Sequence, residues 1–532
     1  MTAANGSEGL NNSSARRPPP ENAVQGLHSL KPTTIFAFST MSLVIMIISF
    51  NAVIMSCAIL FIRNEGIHMS YMGQEAIIGI SAISAGVFAL PFSVYAKQWG
   101  CVYTATVGTA CHTVGILLLV GSWSFWSLVV GEVICGVGMG MGYVTVNQYL
   151  VEVAPKEQRG AASYCFDLAI QLGRLAAYAT GLLMYDAPAR MRWRLMIAVT
   201  LPFSVAALGM LGYIPETPRW LLANQRENEA RAVLHSTDES SKAEGTIKEI
   251  KEILEKERML DQASVYELLF HPRPAAQKGL FIALFAALMQ QLCGSTLFAM
   301  YIPYIAKDAG VDSRFWQLVV NFVIGVLRAV MTYAGMFIID RPGFGRRPVM
   351  LTSIAGCAVF MSALAVSMSL PDGTASLALA LTGLVGFVCF FGVGMGPVTW
   401  VLASELIPSR ERSAGIAMAT FMNRESSGVV LTTFLSMERW LTQTGAFSLY
   451  ATMCVVHFVL GYMLYPETKG ISLEEIHHKL STETEVDEGR LVRSTQQTSQ
   501  YNTFAAVGGA EPIESNEHTS LLGTTPRGDT AI

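Results

Sequence analysis

Apolar residues in this chain run in stretches of about 20 or more, separated by short polar loops; neither strand alternation nor the narrow stripe of a surface helix prevails. A spanning helix needs about 20 mostly apolar residues. The pattern predicts twelve, at roughly 34–62, 74–96, 101–121, 124–147, 161–184, 192–214, 278–306, 315–339, 348–370, 376–403, 413–436 and 443–465. Six precede a long polar stretch at 215–277 and six follow it. Inside that stretch Ile247, Ile250 and Leu254 recur at spacings of three and four amid Lys and Glu, which predicts short amphipathic helices beneath the bundle. The expected organisation is a disordered tail (1–33), a six-helix lobe (34–214), a linker (215–277), a second six-helix lobe (278–465) and a mostly disordered tail (466–532). Arg16 and Arg17 have no apolar core beside them, so no cleavable signal peptide is expected.

Polar punctuation recurs half a chain apart. Glu152, Pro155 and Arg159 reappear as Glu405, Pro408 and Arg412, an offset of 253; PETPR from Pro215 reappears as PETKG from Pro466, an offset of 251. A duplicated bundle of membrane helices leaves this signature. The fold class is therefore an all-α membrane protein with twelve transmembrane helices in two pseudo-symmetric bundles.

Loop charge sets the orientation. Lys156, Arg159, Arg341, Arg346, Arg347, Arg410 and Arg412 lie on the side of both termini, against Arg190, Arg192 and Arg194 on the other, so both termini are expected in the cytoplasm. That disposition removes the sequons at Asn11 and Asn12 from glycosylation. The plasma membrane is the expected location, with a vacuolar or lysosomal membrane as the alternative. Glu517, Leu521 and Leu522 match an acidic dileucine sorting pattern that polar tails also produce by chance.

Composition excludes other classes. With 52% hydrophobic and 14% charged residues, the apolar surface exceeds what a soluble core hides. The net charge of −4 is scattered, with no basic stripe for nucleic acid. The nine cysteines fall in apolar runs without a CxxC spacing, and packing explains them better than metal or disulfide roles. No nucleotide loop, metal cluster or nucleophile motif interrupts the spans, so neither an enzyme nor a cofactor is expected; GxGxG at 392–396 lies in a helix, where close packing explains it. The expected partners are a small solute, the bilayer and, in one reading, protons, with the chain a monomer.

Five motifs, PETPRWLL from Pro215, QQLCGSTLFAMY from Gln290, DRPGFGRR from Asp340, GMGPVTWVLASELIP from Gly394 and PETKG from Pro466, resemble those of the sugar porter family of the major facilitator superfamily. The likeness covers about residues 34–480. It implies a central solute site and alternating access by rocking of two lobes. The repeated carboxylates Glu152, Glu405, Glu216 and Glu467 can pair with Arg159, Arg412, Arg346 and Arg347, with Arg219 beside them, as a latch on the side of the termini. The first half has Ala96-Lys97-Gln-Trp-Gly100 where the second has Gly345-Arg346-Arg347, which predicts weaker closure there.

Departures from the family pattern bear on coupling and cargo. Proton-driven members usually read GYD in the first span, whereas this chain reads Ser49-Phe50-Asn51, and the expected arginine of the fourth span is Glu132. Two readings stay open: a facilitator without proton coupling, or a porter in which Glu132 has become the protonatable group. By resemblance, solute-binding positions are Gln290, Gln291 and Thr296 in the seventh span, Trp400 in the tenth and Asn423 in the eleventh. Asp167 stands where a Gln is common, Arg328 near the place of an Asn, Arg424 where Trp is expected, and Gly392 where Glu is usual. Arg174 lies two turns beyond Asp167 on the same face. Amides and an indole suit a polyol; Arg328 and Arg424 add forked donors suited to the carboxylate of a cyclic or aromatic hydroxy acid. Alternatively Arg424 pairs with Asp167 and Arg328 with Glu425, leaving a neutralised cavity for uncharged solutes. His112 and His457 are expected to be hydrogen-bonded structural imidazoles. The leading reading is a secondary transporter of a small hydroxylated solute; export of an endogenous metabolite and a non-transporting nutrient sensor are the alternatives.

Overall fold

Long apolar segments satisfy their own backbone only as helices in a bilayer, and all regular structure among the described residues is helical. The computed structural model describes residues 32–469 except 63–66, 68, 155–158, 189–190, 238–239, 260–264, 271–273, 340, 342–343, 372 and 409. Residues 1–31 and 470–532 of the tails, with the sequons and the dileucine pattern, and Lys156, Arg190 and Asp340 lie outside the described residues.

The first lobe comprises α1 (Pro32–Ile62), α2 (Tyr71–Trp99), α3 (Cys101–Val120), α4 (Phe125–Val153), α5 (Arg159–Leu183) and a sixth pass split into α6 (Arg192–Ala198) and α7 (Thr200–Leu211). Four short linker helices follow: α8 (Pro218–Ala223), α9 (Glu227–Thr237), α10 (Ser240–Met259) and α11 (Val265–Phe270). The apolar faces of α8, α9 and α10 meet, with Ile247 packed beside Leu221, Leu222, Ala230 and Leu234, whereas Leu268 of α11 packs against Leu280 and Ala403 of the second lobe. The second lobe comprises α12 (Pro274–Leu292), α13 (Leu297–Met300), α14 (Ile302–Asp308), α15 (Arg314–Ile338), α16 (Arg346–Ser367), α17 (Thr374–Val393), α18 (Met395–Leu406) and α19 (Arg412–Leu464).

Nine helices among the described residues are long and apolar enough to cross a membrane. One of them, α19, contains two passes, because the chain reverses at Thr442, whose φ is 64°. The other two passes, α5 and the broken α12–α14, carry the polar residues that lower their hydropathy. The seventh and tenth spans, expected as continuous helices, are interrupted. Gly294, at φ 85°, stops α12, and a left-handed backbone there favours glycine. Gly394 separates α17 from α18, and the Met395 N–H freed at the break donates to Ser353 Oγ at 2.8 Å.

Within the first lobe, α4 threads between α2 and α3 because its glycines admit their backbones. A Cβ on Gly138 would sit 2.4 Å from the Gly108 carbonyl, and one on Gly140 2.6 Å from that of Ala85. The most extensive helix contacts between the lobes are those of α2 with α19 and of α5 with α15. Along α2, Tyr71, Glu75, Gly79 and Gly86 meet Arg439, Ser436, Thr432 and Glu425 of the antiparallel α19 in turn.

The duplicated PET motifs do one job twice. Glu216 accepts the N–H groups of Cys101, Val102 and Tyr103 at 3.1, 2.8 and 3.1 Å, capping α3. Glu467 accepts those of Arg346 and Arg347 at 3.0 and 3.3 Å, capping α16. A helix N-terminus presents unpaired N–H groups and a positive dipole end, so a carboxylate is the natural partner. This corrects the expected latch, in which these carboxylates were to bind arginine side chains. Of that latch Arg346–Glu405 is an ion pair, at 3.3 Å. Glu152 accepts from Gln148 at 2.9 Å, Arg347 donates to the Tyr462 carbonyl, and Arg412 donates to that of Ile407. Arg219 stands on α8, and the Arg159 side chain is outside the description. The first lobe is fastened instead by neutral bonds, Trp220 Nε1 to the Lys97 carbonyl at 3.1 Å and Tyr149 OH to that of Pro215 at 3.0 Å.

Candidate functional site

At the seam between lobes lies a cavity of about 40 Å³. It has room for a few waters and is too small for a six-carbon solute, so loading requires the seam to widen. The first lobe supplies Tyr143 of α4 and Phe166, Asp167, Ile170, Gln171 and Arg174 of α5. Spacings of three and four place those α5 residues on one helical face. The second lobe supplies Gln290 and Gln291 from α12, Ser295 and Thr296 from the break after it, Arg328 from α15, Phe391 from α17, and Gly396 and Trp400 from α18. Arg424 of α19 completes the wall.

Seven of the eight residues singled out from sequence as solute-binding therefore line one space; Asn423, fully buried, stands behind them. Its amide joins a network that crosslinks three helices. Asn423 Nδ2 donates to the Ala287 carbonyl at 3.0 Å and to Gln290 Oε1 at 2.8 Å. Gln290 Nε2 donates to the Met395 and Gly396 carbonyls at 2.9 and 2.8 Å, tying α12 to α18 just past the break. Gln291 donates to Gln290 and Asn423, both at 3.2 Å, and its Oε1 accepts from Ser295 at 3.0 Å and from Thr296. Every polar atom of these amides is engaged within the protein.

The arginines are held differently. Arg424 lies 4.7 Å over the Tyr143 ring and donates to Asn423 Oδ1 through Nε and Nη2. Arg328 lies 4.6 Å over Phe391, its Nε without a hydrogen-bond partner. Stacking fixes a guanidinium plane and leaves its edge donors free. Asp167 accepts from Gln171 at 3.4 Å and has Arg328 and Arg174 as electrostatic neighbours. Neither Arg424–Asp167 nor Arg328–Glu425 is an ion pair. Glu425 faces α2, where a Cβ on Gly86 would come 2.4 Å from its carboxylate.

Sequence reasoning passed over Tyr143, Phe166, Ile170, Gln171, Ser295, Phe391 and Gly396. Gln171 was detectable, one turn beyond Asp167 on a face already marked by Arg174; the aromatic rings carried no signal that separates them from packing residues. Glu132 lies off the cavity, 1% exposed, with Oε1 unpartnered. Asn51 is fully buried with both amide atoms unpartnered. Of the two histidines, His457 bonds Tyr465 OH at 2.6 Å, whereas both ring nitrogens of His112 lack a partner.

Beyond the cavity, toward the end opposite the termini, opens a vestibule of about 980 Å³. Bonds between lobes separate the two spaces. Glu75 accepts the Ser436 N–H at 2.7 Å and its hydroxyl at 2.5 Å; Tyr304 OH donates to Gln74 at 3.2 Å; and Tyr178 OH donates to the Ala299 carbonyl at 2.8 Å.

A family model described as "Sugar (and other) transporter" matches residues 37–480. The chain belongs to this family. Among the transporter's relatives, a probable polyol transporter 4 of Arabidopsis thaliana is 30% identical over 461 residues, covering 85% of this chain and 87% of that protein. A galactose-proton symporter of Escherichia coli is 27% identical, covering 87% and 97%. The fold matches the solved proton:xylose symporter XylE bound to 6-bromo-6-deoxy-D-glucose, with a TM-score of 0.71 at 20% identity, over 84% of this chain and 98% of that one. The fold is thus the two-lobed, twelve-helix architecture of the major facilitator superfamily.

Proposed function

We propose that the transporter moves a small polyhydroxylated solute of the polyol or sugar class by alternating access at the lobe seam. The observation that carries this reading is that both lobes build one cavity wall: Asp167, Gln171 and Arg174 face Thr296, Arg328, Trp400 and Arg424. A solute held by both walls is exposed to one compartment or the other as the lobes rock. Trp400 offers an indole face to the apolar side of a ring or carbon chain, and Gln171 Oε1, unpartnered in the wall, accepts from a hydroxyl. The names of the relatives, polyol transporters and a galactose-proton symporter, support the class. The loop charges support cytoplasmic termini.

Counterflow into proteoliposomes across hexoses, pentoses, linear and cyclic polyols and hydroxy acids tests the proposal. At least one accumulates, and Trp400→Ala lowers its uptake about tenfold; accumulation of none overturns the reading. A second reading, proton linkage through Glu132, rests on its buried, half-unpartnered carboxyl, a group that persists in a bilayer when protonated or wetted. An imposed pH gradient then drives accumulation in wild type and not in Glu132→Gln; accumulation that survives the change removes Glu132 as the carrier.

A further inference from the structure

The cavity divides its polar groups into engaged and unengaged. Gln290, Gln291 and Asn423, the groups suited to hydroxyls, hydrogen-bond one another and the backbone. Arg174 and Arg328 make no hydrogen bond or ion pair among the described residues, although Arg328 is only 7% exposed. Three guanidiniums share the wall with one carboxylate, Asp167. Glu425 does not offset them, since it is turned to α2 outside the wall. An excess of positive charge at the centre of a bilayer protein is unfavourable unless paired or wetted.

We infer that the preferred solute is a polyhydroxylated monocarboxylate, a sugar acid or cyclic hydroxy acid, whose carboxylate lies between Arg174 and Arg328. This rests on the proposed function and narrows it. Arg174 belongs to α5 and Arg328 to α15, the pair of helices that meet across the seam, and each is an electrostatic neighbour of the other. Like charges on opposite lobes oppose closure, and Asp167 offsets only one of them. A carboxylate between them supplies the missing charge and draws both lobes onto the cargo. Arg174 and Arg328 with Asp167 lack one negative charge, which one carboxylate supplies, while Arg424 has its Nε and Nη2 donors engaged by Asn423 Oδ1. The hydroxyl groups of the cargo meet Gln171 and Trp400. A neutral solute leaves one of the two guanidinium charges unmatched.

Matched probes that differ at one carbon test this in proteoliposomes of the full chain: gluconate against sorbitol, and glucuronate against glucose. In at least one pair the acid enters about tenfold faster or more at equal concentration. Arg174→Gln and Arg328→Gln each lower that acid's uptake about tenfold or more, and Arg328→Lys restores part of it. Melting temperatures of the solubilised variants within a few degrees of wild type separate loss of binding from loss of fold. Neutral partners that enter as fast as the acids, in both pairs, overturn the inference and leave the porter reading standing. Undiminished acid uptake in both glutamine variants also overturns it. Entry of none of the four solutes overturns the inference and the porter reading together.

Discussion

The two ends of the bundle are fastened on different principles. At the end that carries the termini, described carboxylates hold elements of their own lobe: Glu216 caps α3, Glu467 caps α16, and Glu405 pairs with Arg346. At the opposite end, Glu75 of one lobe holds Ser436 of the other, Arg439 stacks 3.6 Å over Tyr71, and Tyr304 bonds Gln74. The first set makes each lobe rigid. The second opposes their separation and must break for the cavity to open into the vestibule. A rocking carrier needs both, since rigid bodies transmit motion and a breakable seam gives two states of similar energy.

The comparison predicts which end responds to mutation by moving and which by melting. The largest effect is expected at Glu75. A hydrogen bond contributes about 0.5–1.5 kcal/mol and Glu75 accepts two from Ser436, so Glu75→Ala shifts the equilibrium toward an open vestibule roughly tenfold to a hundredfold. Spin labels at Leu60 and Met368, on opposite walls of the vestibule, report the change as a longer distance in dipolar spectroscopy. An unchanged distance would show that the seam is held elsewhere.

Next is Glu216. Loss of an N-cap costs about 1–2 kcal/mol, so Glu216→Ala lowers the melting temperature without moving the vestibule labels. Burial raises the Glu216 carboxyl above its ordinary range, against the pull of its N–H donors. The folded lobe therefore binds this proton more tightly than the unfolded chain. The stabilisation is whole at low pH and declines as pH rises through the raised value, and Glu216→Gln removes that slope from a melting-temperature series.

Smaller again is Arg346→Gln. It breaks a pair whose side chains are 17% and 22% exposed, and costs about 1 kcal/mol or less. At the bottom of the scale, Lys251→Ala removes an exposed linker pair with Glu227 and leaves the melting temperature unresolved from wild type. A drop as large as that of Glu216→Ala would mean that the linker bears on lobe stability.

Much of this was legible in the chain. Transfer of about 20 apolar residues into hydrocarbon is a local property, and the twelve passes follow from windows read one at a time. Duplicated PET motifs marked the same place in both lobes. Departures such as Asp167, Arg328 and Arg424 stood out because charge is rare inside spans. What the motifs did not reveal was their partner: Glu216 and Glu467 looked like ion-pair acids and serve as helix caps, because a backbone N–H has no letter in the sequence. Glu75 gave no signal, since its partner Ser436 lies 361 residues away and only the rotation and depth of α2 against α19 bring them together.

By itself, then, the sequence determined the number of passes, the two-lobed repeat and the rank of polar residues inside the bilayer, because each depends on composition over a turn or a span. Only the tertiary structure decided which amides are engaged with one another, which arginines keep free donors, and which end of the seam is bonded. Those outcomes depend on distances of about 3 Å between helices far apart in the chain, set by how glycines such as Gly79 and Gly428 let the backbones approach.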